Sequence, residues 1–329
     1  MKVNEVLVHK RNISLFDLCY KYGTIFITLG LFLIFSIFVD NFLNVDNVIN
    51  ILRSISIVTI IAIGVTVSLT VGGFDLSVGS TASIANGVCV SLFIWYSIDT
   101  LGSIFVALAA GTLVGVINSI LISKIKSNDM LITLSTMFIF QGVASTYTKG
   151  AVISENMIMK NGDVAAGHIT DAFKVIGKVP MIIIIMLVVV AIVHVLLTKT
   201  KYGRVMYIIG GNVEAAYLSG INVNKYKTLA YILSAFFASL GGIILASRVQ
   251  VAEINAGAPY LMDAVAAAYI GFSVFGEGKP NAFGTFVGAV LIGILQNGLI
   301  MLSVPYYSMD IIKGLVLAVA LIVTYYRKK

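Results

Sequence analysis

The sequence has few of the residues that soluble folds place on their surface. Charged residues make up 11% of the 329 residues, whereas soluble globular proteins carry roughly 25%. Proline (4), cysteine (2), histidine (3) and tryptophan (1) are also scarce. The chain is instead 59% hydrophobic, with a mean hydropathy of +1.00. This balance excludes a soluble domain, a disordered chain and a disulfide scaffold, and it predicts an all-α polytopic membrane protein.

Motifs for catalysis, metal binding and nucleotide hydrolysis are missing as well. The three histidines are scattered, Cys19 and Cys89 form no cluster, and neither H-E-x-x-H nor G-x-S-x-G occurs. The segment Gly276-Glu-Gly-Lys-Pro280 has proline where a P-loop needs a hydroxyl for magnesium. We therefore expect no enzyme, no metal site and no cofactor. A pump built from this chain would take its energy from a partner.

Ten apolar runs predict about ten transmembrane helices, at roughly 20 residues for each crossing. They form one transmembrane domain over 24–326, between a cytoplasmic segment 1–23 and a cytoplasmic tail 327–329. The eighth run is short, so we expect it to be tilted, interrupted or only partly spanning. The predicted spans are 24–42, 51–71, 76–97, 101–123, 130–148, 180–198, 228–247, 261–275, 282–302 and 307–326.

The positions of the basic residues predict the orientation. With the N-terminus inside, fifteen Lys and Arg residues fall in cytoplasmic segments and four in external ones, all within the long loop 149–179. This fits the positive-inside rule and places both termini in the cytoplasm. The net charge of +7 is then an orientation signal and not a sign of nucleic-acid binding. A second long loop, 199–227, lies inside.

A weak internal repeat is present. Gly111-Thr-Leu-Val-Gly115 in the fourth predicted span matches Gly284-Thr-Phe-Val-Gly288 in the ninth. The offset is five spans, an odd number, so the two copies would run in opposite directions. Inverted repeats of this kind are typical of transport proteins.

The segment Val71-Gly-Gly-Phe-Asp-Leu-Ser-Val-Gly-Ser80 joins the second and third predicted spans. Paired glycines allow a sharp turn, and Asp75 or Ser77 can cap the next helix. The segment is therefore either a capped tight turn or a broken helix that lines a solute cavity, where irregular backbone is tolerated.

A short helix is predicted inside the cytoplasmic loop. Asn212 is a good N-cap, Glu214 suits the first turn and Gly220 suits the end. Val213, Ala216 and Tyr217 follow the spacing of one helix face. A helix this short is marginal alone in water, so it needs a surface to lie on. That surface is either the chain's own bundle or a partner.

Uncharged polar residues inside the predicted spans are expensive in lipid and should face the bundle. Hydrogen bonding between helices is one interpretation of each of them. A path for a neutral, hydroxyl-rich solute is the other. With Asp75 added, the candidate pathway residues are Asp75, Asn86, Asn118, Gln141 and Asn297, with Gln296 beside the last.

Together these segments resemble the membrane permease of ABC importers for ribose and other simple sugars. The family's glycine-glycine-hydrophobic-aspartate-leucine-serine signature is similar to Gly72–Ser80. Its glycine-arginine and coupling segments are similar to Gly203-Arg204 and Gly210–Gly220. Its aspartate-alanine start to the eighth region and the glycines of the ninth are similar to Asp263-Ala264 and Gly284–Gly298. The resemblance covers nearly the whole chain.

The resemblance implies two permease copies, or one with a paralogue, in the lipid membrane, with two ATPase subunits inside and a solute-binding protein outside. It also implies a coupling role for the loop residues Gly210, Gly211, Asn212, Val213, Glu214, Ala215, Ala216, Tyr217 and Gly220.

The chain departs from the family pattern at three places. Gln141-Gly142 replaces arginine-glycine, Tyr217 replaces arginine, and Gly271-Phe-Ser-Val-Phe275 replaces a glycine-glycine-threonine-serine run. The first and third could alter the translocation path. An importer of nucleosides or of an autoinducer-like molecule on the same fold therefore stays open. An autonomous channel or secondary transporter is the alternative from another class, although it needs no capped cytoplasmic helix.

Overall fold

The computed structural model describes residues 15–159, 162–272, 274 and 278–325, and this part of the chain contains thirteen helices and no β-strand. The all-α prediction is thus confirmed. The helices are α1 (Leu15–Phe38), α2 (Val45–Leu69), α3 (Val78–Tyr96), α4 (Thr100–Ser123), α5 (Asp129–Thr148), α6 (Asp171–Ile176), α7 (Met181–Lys199), α8 (Lys201–Gly211), α9 (Val213–Leu218), α10 (Val223–Val249), α11 (Ala258–Gly271), α12 (Ala282–Met301) and α13 (Tyr306–Tyr325).

Each of the ten predicted spans coincides with one of these helices. Seven of them are long and apolar enough to cross a membrane: α2, α3, α4, α5, α7, α10 and α12. The chain is therefore a polytopic membrane protein, and the count of ten crossings stays a prediction. Helix α11, in the short eighth run, has 14 residues, or about 21 Å at 1.5 Å per residue.

The predicted terminal segments are described only in part. Helix α1 begins at Leu15, so residues 15–23 of the predicted polar segment 1–23 already belong to the first long helix. Residues 1–14 and the predicted tail 327–329 lie outside the described residues. Within the Gly276–Pro280 connector, Gly276 and Glu277 do so too.

Polar residues at the ends of the apolar runs explain where several helices begin. Asp99 caps α4, Asn128 caps α5 and Asn281 caps α12, and each side chain accepts hydrogen bonds from backbone N–H groups of the first turn. These N–H groups have no partner within the helix, so a side-chain oxygen satisfies donors that would otherwise be costly in a membrane.

The core of the bundle is built around α10, which packs on α2, α3 and α4. Most of the apolar window of α2, α3 and α10 is buried (67%, 89% and 72%), against 17% for α5. Close approach is possible because small residues face each other: a side chain at Gly242 of α10 would collide with the Ala82 carbonyl of α3. Such contacts replace the hydrophobic driving force that lipid does not provide.

The packing pattern agrees with the predicted inverted repeat. Helix α4 packs on α3 and α10, and helix α12 packs on α11 and α2 in the same way, while α3 packs on α10 as α11 packs on α2. The connections α2–α3 and α10–α11 are both eight residues long, 70–77 and 250–257. Exchanging α2, α3 and α4 for α10, α11 and α12 therefore preserves the contacts.

Both long loops carry more structure than the sequence indicated. The loop 149–179 contains α6 and pairs Ile153 with Ala252 in an isolated antiparallel bridge, so it is tied to the α10–α11 connection. The loop 199–227 is not a polar connector with one short helix. Helix α8 follows α7 after one residue, α9 follows α8, and α10 begins at Val223, five residues before the predicted span.

Candidate functional site

Residues 70–77, which include Gly72 and Gly73, form a non-helical turn between α2 and α3, and Val78–Ser80 are the first residues of α3. Gly72 has φ +71°, a left-handed conformation that favours glycine. Gly73 lies directly against the Tyr231 hydroxyl of α10 and the Asp129 carboxylate of α5, and a Cβ there would collide with that hydroxyl. The two glycines thus serve different needs, a backbone conformation and a close contact.

Asp75 is fully buried in this turn, two residues before Ser77, the N-cap residue of α3. Its Oδ1 accepts hydrogen bonds from Ser77 N at 2.9 Å and Ser77 Oγ at 2.6 Å. The Ser77 hydroxyl in turn accepts one from Asn118 Nδ2 of α4 at 2.8 Å. Burial raises the pKa of the Asp75 carboxyl, and the bonds from Ser77 oppose this. The chain Asp75–Ser77–Asn118 therefore ties the turn to α4.

A second polar cluster, which sequence reasoning missed, contacts the turn at Gly73. The Asp129 carboxylate accepts hydrogen bonds from Lys227 Nζ at 3.1 and 3.3 Å and from the Tyr231 hydroxyl at 2.9 Å. The side chains of Lys227 and Asp129 are 19% and 16% exposed. We call Asp129, Lys227 and Tyr231 the Asp129 cluster; it joins the start of α5 to α10 over Gly73.

The other predicted pathway residues lie elsewhere. Asn297 and Asn47 exchange two amide hydrogen bonds, of 3.0 and 3.1 Å, between α12 and the start of α2. Asn86 is buried and its Nδ2 is 3.5 Å from the Val251 carbonyl. Gln141 is half-buried on α5, an outer helix. The structure brings together Asp75 and Asn118, but it does not join all five residues in one cavity.

Helices α8 and α9 lie at the end of the bundle where the turn is. Asn212 ends α8 and begins α9, where its Oδ1 accepts from Ala215 N at 2.9 Å. Gly220 has φ +77° after the last turn. Gly210 packs on the Thr70 carbonyl, where only a glycine fits. The α8–α9 unit is therefore in direct contact with the turn that carries Asp75.

The predicted apolar face of α9 is divided between the bundle and the surface. Ala216 is fully buried against the chain's own core, whereas Tyr217 and Leu218 are 73% and 80% exposed and Val213 is 44% exposed. Ala216 therefore attaches α9 to the bundle, because it is the small residue on the inner side. The free apolar surface consists of Val213, Tyr217 and Leu218, which we call the α9 surface.

Comparisons with known proteins identify similar chains. A family model described as "Branched-chain amino acid transport system / permease component" matches residues 47–322. The ribose import permease protein RbsC of Haemophilus influenzae is 37% identical over 264 residues, 80% of each chain. The galactose/methyl galactoside import permease protein MglC of Salmonella typhimurium is 33% identical over 81% of this chain and 83% of its own.

A third similar chain is the D-allose transport system permease protein AlsC of Escherichia coli, 30% identical over 78% of this chain and 76% of its own. No solved structure is similar to the chain at a significant level.

Proposed function

The chain belongs to the family of branched-chain amino acid transport system permease components, and from that premise we propose that it is the membrane-spanning permease of an ABC importer for a neutral monosaccharide. The observation that carries the proposal is the α9 surface, an exposed apolar patch on a helix whose neighbour α8 packs on the Gly-Gly turn. The chain is then a conduit and not an enzyme, and ATP is hydrolysed by partner subunits.

The substrate class rests on the relatives. The three described above are named for ribose, for galactose and methyl galactoside, and for D-allose, whereas the family description names branched-chain amino acids. A monosaccharide is favoured because named sugar permeases match about 80% of the chain. Nucleosides and autoinducer-like molecules are also rich in hydroxyl groups and are the alternatives.

The coupling role is assigned to the α8–α9 unit. Gly210 and Gly211 end α8, Asn212 fixes the angle between the helices, and the α9 surface is free for an ATPase groove. Since α9 leads into α10 within five residues, a movement of α9 would be transmitted to α10, the central helix of the bundle. An autonomous channel would have no use for such a surface.

The assembly we propose has a second permease copy or a paralogue beside this chain. Two ATPase subunits would bind at the α9 end, and a solute-binding protein would bind at the opposite end, which includes the loop 149–179. The positive-inside bias supports a cytoplasmic location for α9 and both termini in an inner membrane.

For the solute pathway we propose Asp75 and Asn118 at its α9 end, supported by their buried contact through Ser77. Asn86 and Gln141 would lie farther along it. The reciprocal amide pair with Asn47 supports a packing role for Asn297 instead. These residues are polar inside the bundle, where a hydroxyl-rich solute needs hydrogen-bond partners.

Reconstitution tests the function. The permease with its ATPase and binding protein in proteoliposomes should take up labelled D-ribose, D-galactose or D-allose only when ATP is present on the ATPase side. The reason is that the chain has no P-loop of its own. Uptake that continues without the ATPase subunits would favour a channel or secondary transporter and contradict the proposal.

The orientation has its own test. In a chain whose Cys19 and Cys89 are replaced by serine, Asp171→Cys should react with an impermeant maleimide from outside and Glu214→Cys only after permeabilisation. Asp171 is suitable because its side chain is fully exposed in the loop 149–179, and Glu214 because it is exposed on α9. The reverse labelling would invert the topology and remove the coupling assignment.

A further inference from the structure

A cavity of about 770 Å³ lies at the end of the bundle opposite α9. It is bounded by the first half of α2, the last turns of α10, and helices α11, α12 and α13. Small-molecule sites in proteins usually have volumes of about 300–1,000 Å³. The cavity is therefore large enough for a small solute. Of the polar residues singled out inside the predicted spans, Gln296 lines it, whereas the five candidate pathway residues do not.

On three of the lining helices, α2, α10 and α12, a polar residue and an apolar residue of the cavity lie about one turn apart. The polar residue of each pair lies nearer the connections 250–257 and 302–305, and the apolar one lies deeper. Gln296 is followed inward by Ile292 on α12, Arg248 by Leu245 on α10, and Ser54 by Val58 on α2. The cavity thus has a polar mouth and an apolar floor, the arrangement of many small-molecule sites.

Two of the charged groups at the mouth are paired inside the bundle. Lys313 Nζ of α13 donates to the Asp263 carboxylate of α11 at 3.0 and 3.2 Å, and the two side chains are 20% and 14% exposed. Ionisable residues within the helices of a membrane protein are by default a functional-site hypothesis. The pair offers both donors and acceptors to a solute.

Arg248 contributes a cation that lacks a counter-ion among the described residues. Its Nη2 donates to Ser54 Oγ at 3.4 Å, while a guanidinium carries five N–H donors. Most of this donor capacity is available to a molecule in the cavity. Oxygen acceptors held in the plane of the guanidinium would satisfy it.

The mouth carries charges of both signs. The carboxylates of Glu253, Asp263 and Asp310 line it together with the cations of Arg248 and Lys313, and Arg53 is close enough to act electrostatically on Arg248. A hydroxyl group both donates and accepts hydrogen bonds, so a neutral polyol can use carboxylates and cations side by side.

The predicted repeat relates this open end of the bundle to a closed end at the α2–α3 turn. The cavity is formed by the starts of α2 and α13, the end of α12 and the connection α10–α11. Under the repeat these correspond to the starts of α10 and α5, the end of α4 and the turn α2–α3. At that second position the Asp129 cluster closes directly over Gly73. One end of the bundle is thus closed where its counterpart is open, as alternating access between inverted repeats requires.

We propose that this cavity is the entry site at which the permease receives a neutral, hydroxyl-rich monosaccharide, with Arg248 and Lys313 donating to its hydroxyls and Asp263 accepting from them. The inference rests on the proposed function and adds the place and chemistry of solute entry. The open end of the bundle then receives the solute, a role that buried amides such as Asn86 and Asn118 do not have.

Two variants test the cavity in the complete transporter. Arg248→Met removes the free donors, and Gly314→Phe places a ring at the cavity wall. A Cβ at Gly314 meets no described heavy atom within 4 Å, so we expect the fold to tolerate a larger side chain there. Each variant should lower uptake of D-ribose, D-galactose and D-allose by about tenfold or more, since bonds to charged groups are the strong ones. Co-purification with the ATPase should be unchanged.

Gly30→Phe is the matched control, because Gly30 is also a helical glycine with open space at Cβ but lies on α1, away from the cavity. It should transport at the wild-type rate. If the Arg248→Met transporter fails to assemble, uptake by the Gly314→Phe transporter is the test of the cavity. Wild-type uptake by an assembled Gly314→Phe transporter would overturn the cavity assignment alone. A wild-type complex that takes up none of the three sugars would contradict both the proposed function and the monosaccharide assigned to the cavity.

Discussion

Replacing Leu218 with arginine should abolish ATP-driven uptake while the permease stays folded. Leu218 is 80% exposed on α9, so the substitution costs the isolated chain little. In the proposed assembly it would place an unpaired charge in an apolar interface. Such a charge costs on the order of 2–5 kcal/mol, which weakens association about 30-fold or more at 1.4 kcal/mol per factor of ten.

Co-purification of the ATPase with the tagged permease measures this effect directly. Leu302→Arg is the matched control, since Leu302 is also exposed but lies in the α12–α13 connection at the opposite end, and it should retain the ATPase. Normal ATPase recovery and uptake with Leu218→Arg would remove α9 from the coupling role. Ala216→Arg cannot serve here, because it would insert the charge into the chain's own core.

The spans were predictable because their signal is local. A run of about 20 apolar residues crosses a membrane whatever its neighbours are, and capping residues such as Asn128 and Asn212 mark a boundary within three residues of themselves. Helix α8 was missed for the same reason. Its sequence contains Gly203, Gly210 and Gly211, which disfavour a helix in isolation, and it is stabilised by the buried side chains of Met206 and Ile209.

The side chains of the site were less predictable, because their partners are distant in sequence. Asp129 is about a hundred residues from Lys227 and Tyr231, and no local pattern pairs them. Likewise, periodicity places Val213, Ala216 and Tyr217 on one stripe of α9, but it cannot tell which edge of that stripe faces the bundle. The same limit applies to Asn297, whose partner Asn47 is on another helix.

Disrupting the Asp129 cluster should have the second large effect, a loss of stability of the permease. Asp129→Ala should destabilise the permease and loosen the closed end of the bundle, because it leaves the Lys227 ammonium and the Tyr231 hydroxyl without their shared acceptor. Breaking a fully buried pair costs about 3–5 kcal/mol. At 16–19% exposure we expect about 2–4 kcal/mol, since water screens part of the remaining charge. The thermal unfolding midpoint of the purified permease should therefore fall by several degrees.

The double variant Asp129→Ala/Lys227→Met separates this interaction from simple loss of packing. With the stranded cation removed, the double variant should unfold at a higher temperature than Asp129→Ala alone. If the two single effects merely add, the ion pair contributes nothing and the assignment fails.

A second measurement, of ATP hydrolysis, tests whether the Asp129 cluster keeps this end of the bundle closed. The cluster closes over Gly73, three residues from the Thr70 carbonyl on which α8 packs. Opening it should therefore raise ATP hydrolysis by the assembled transporter in the absence of the binding protein.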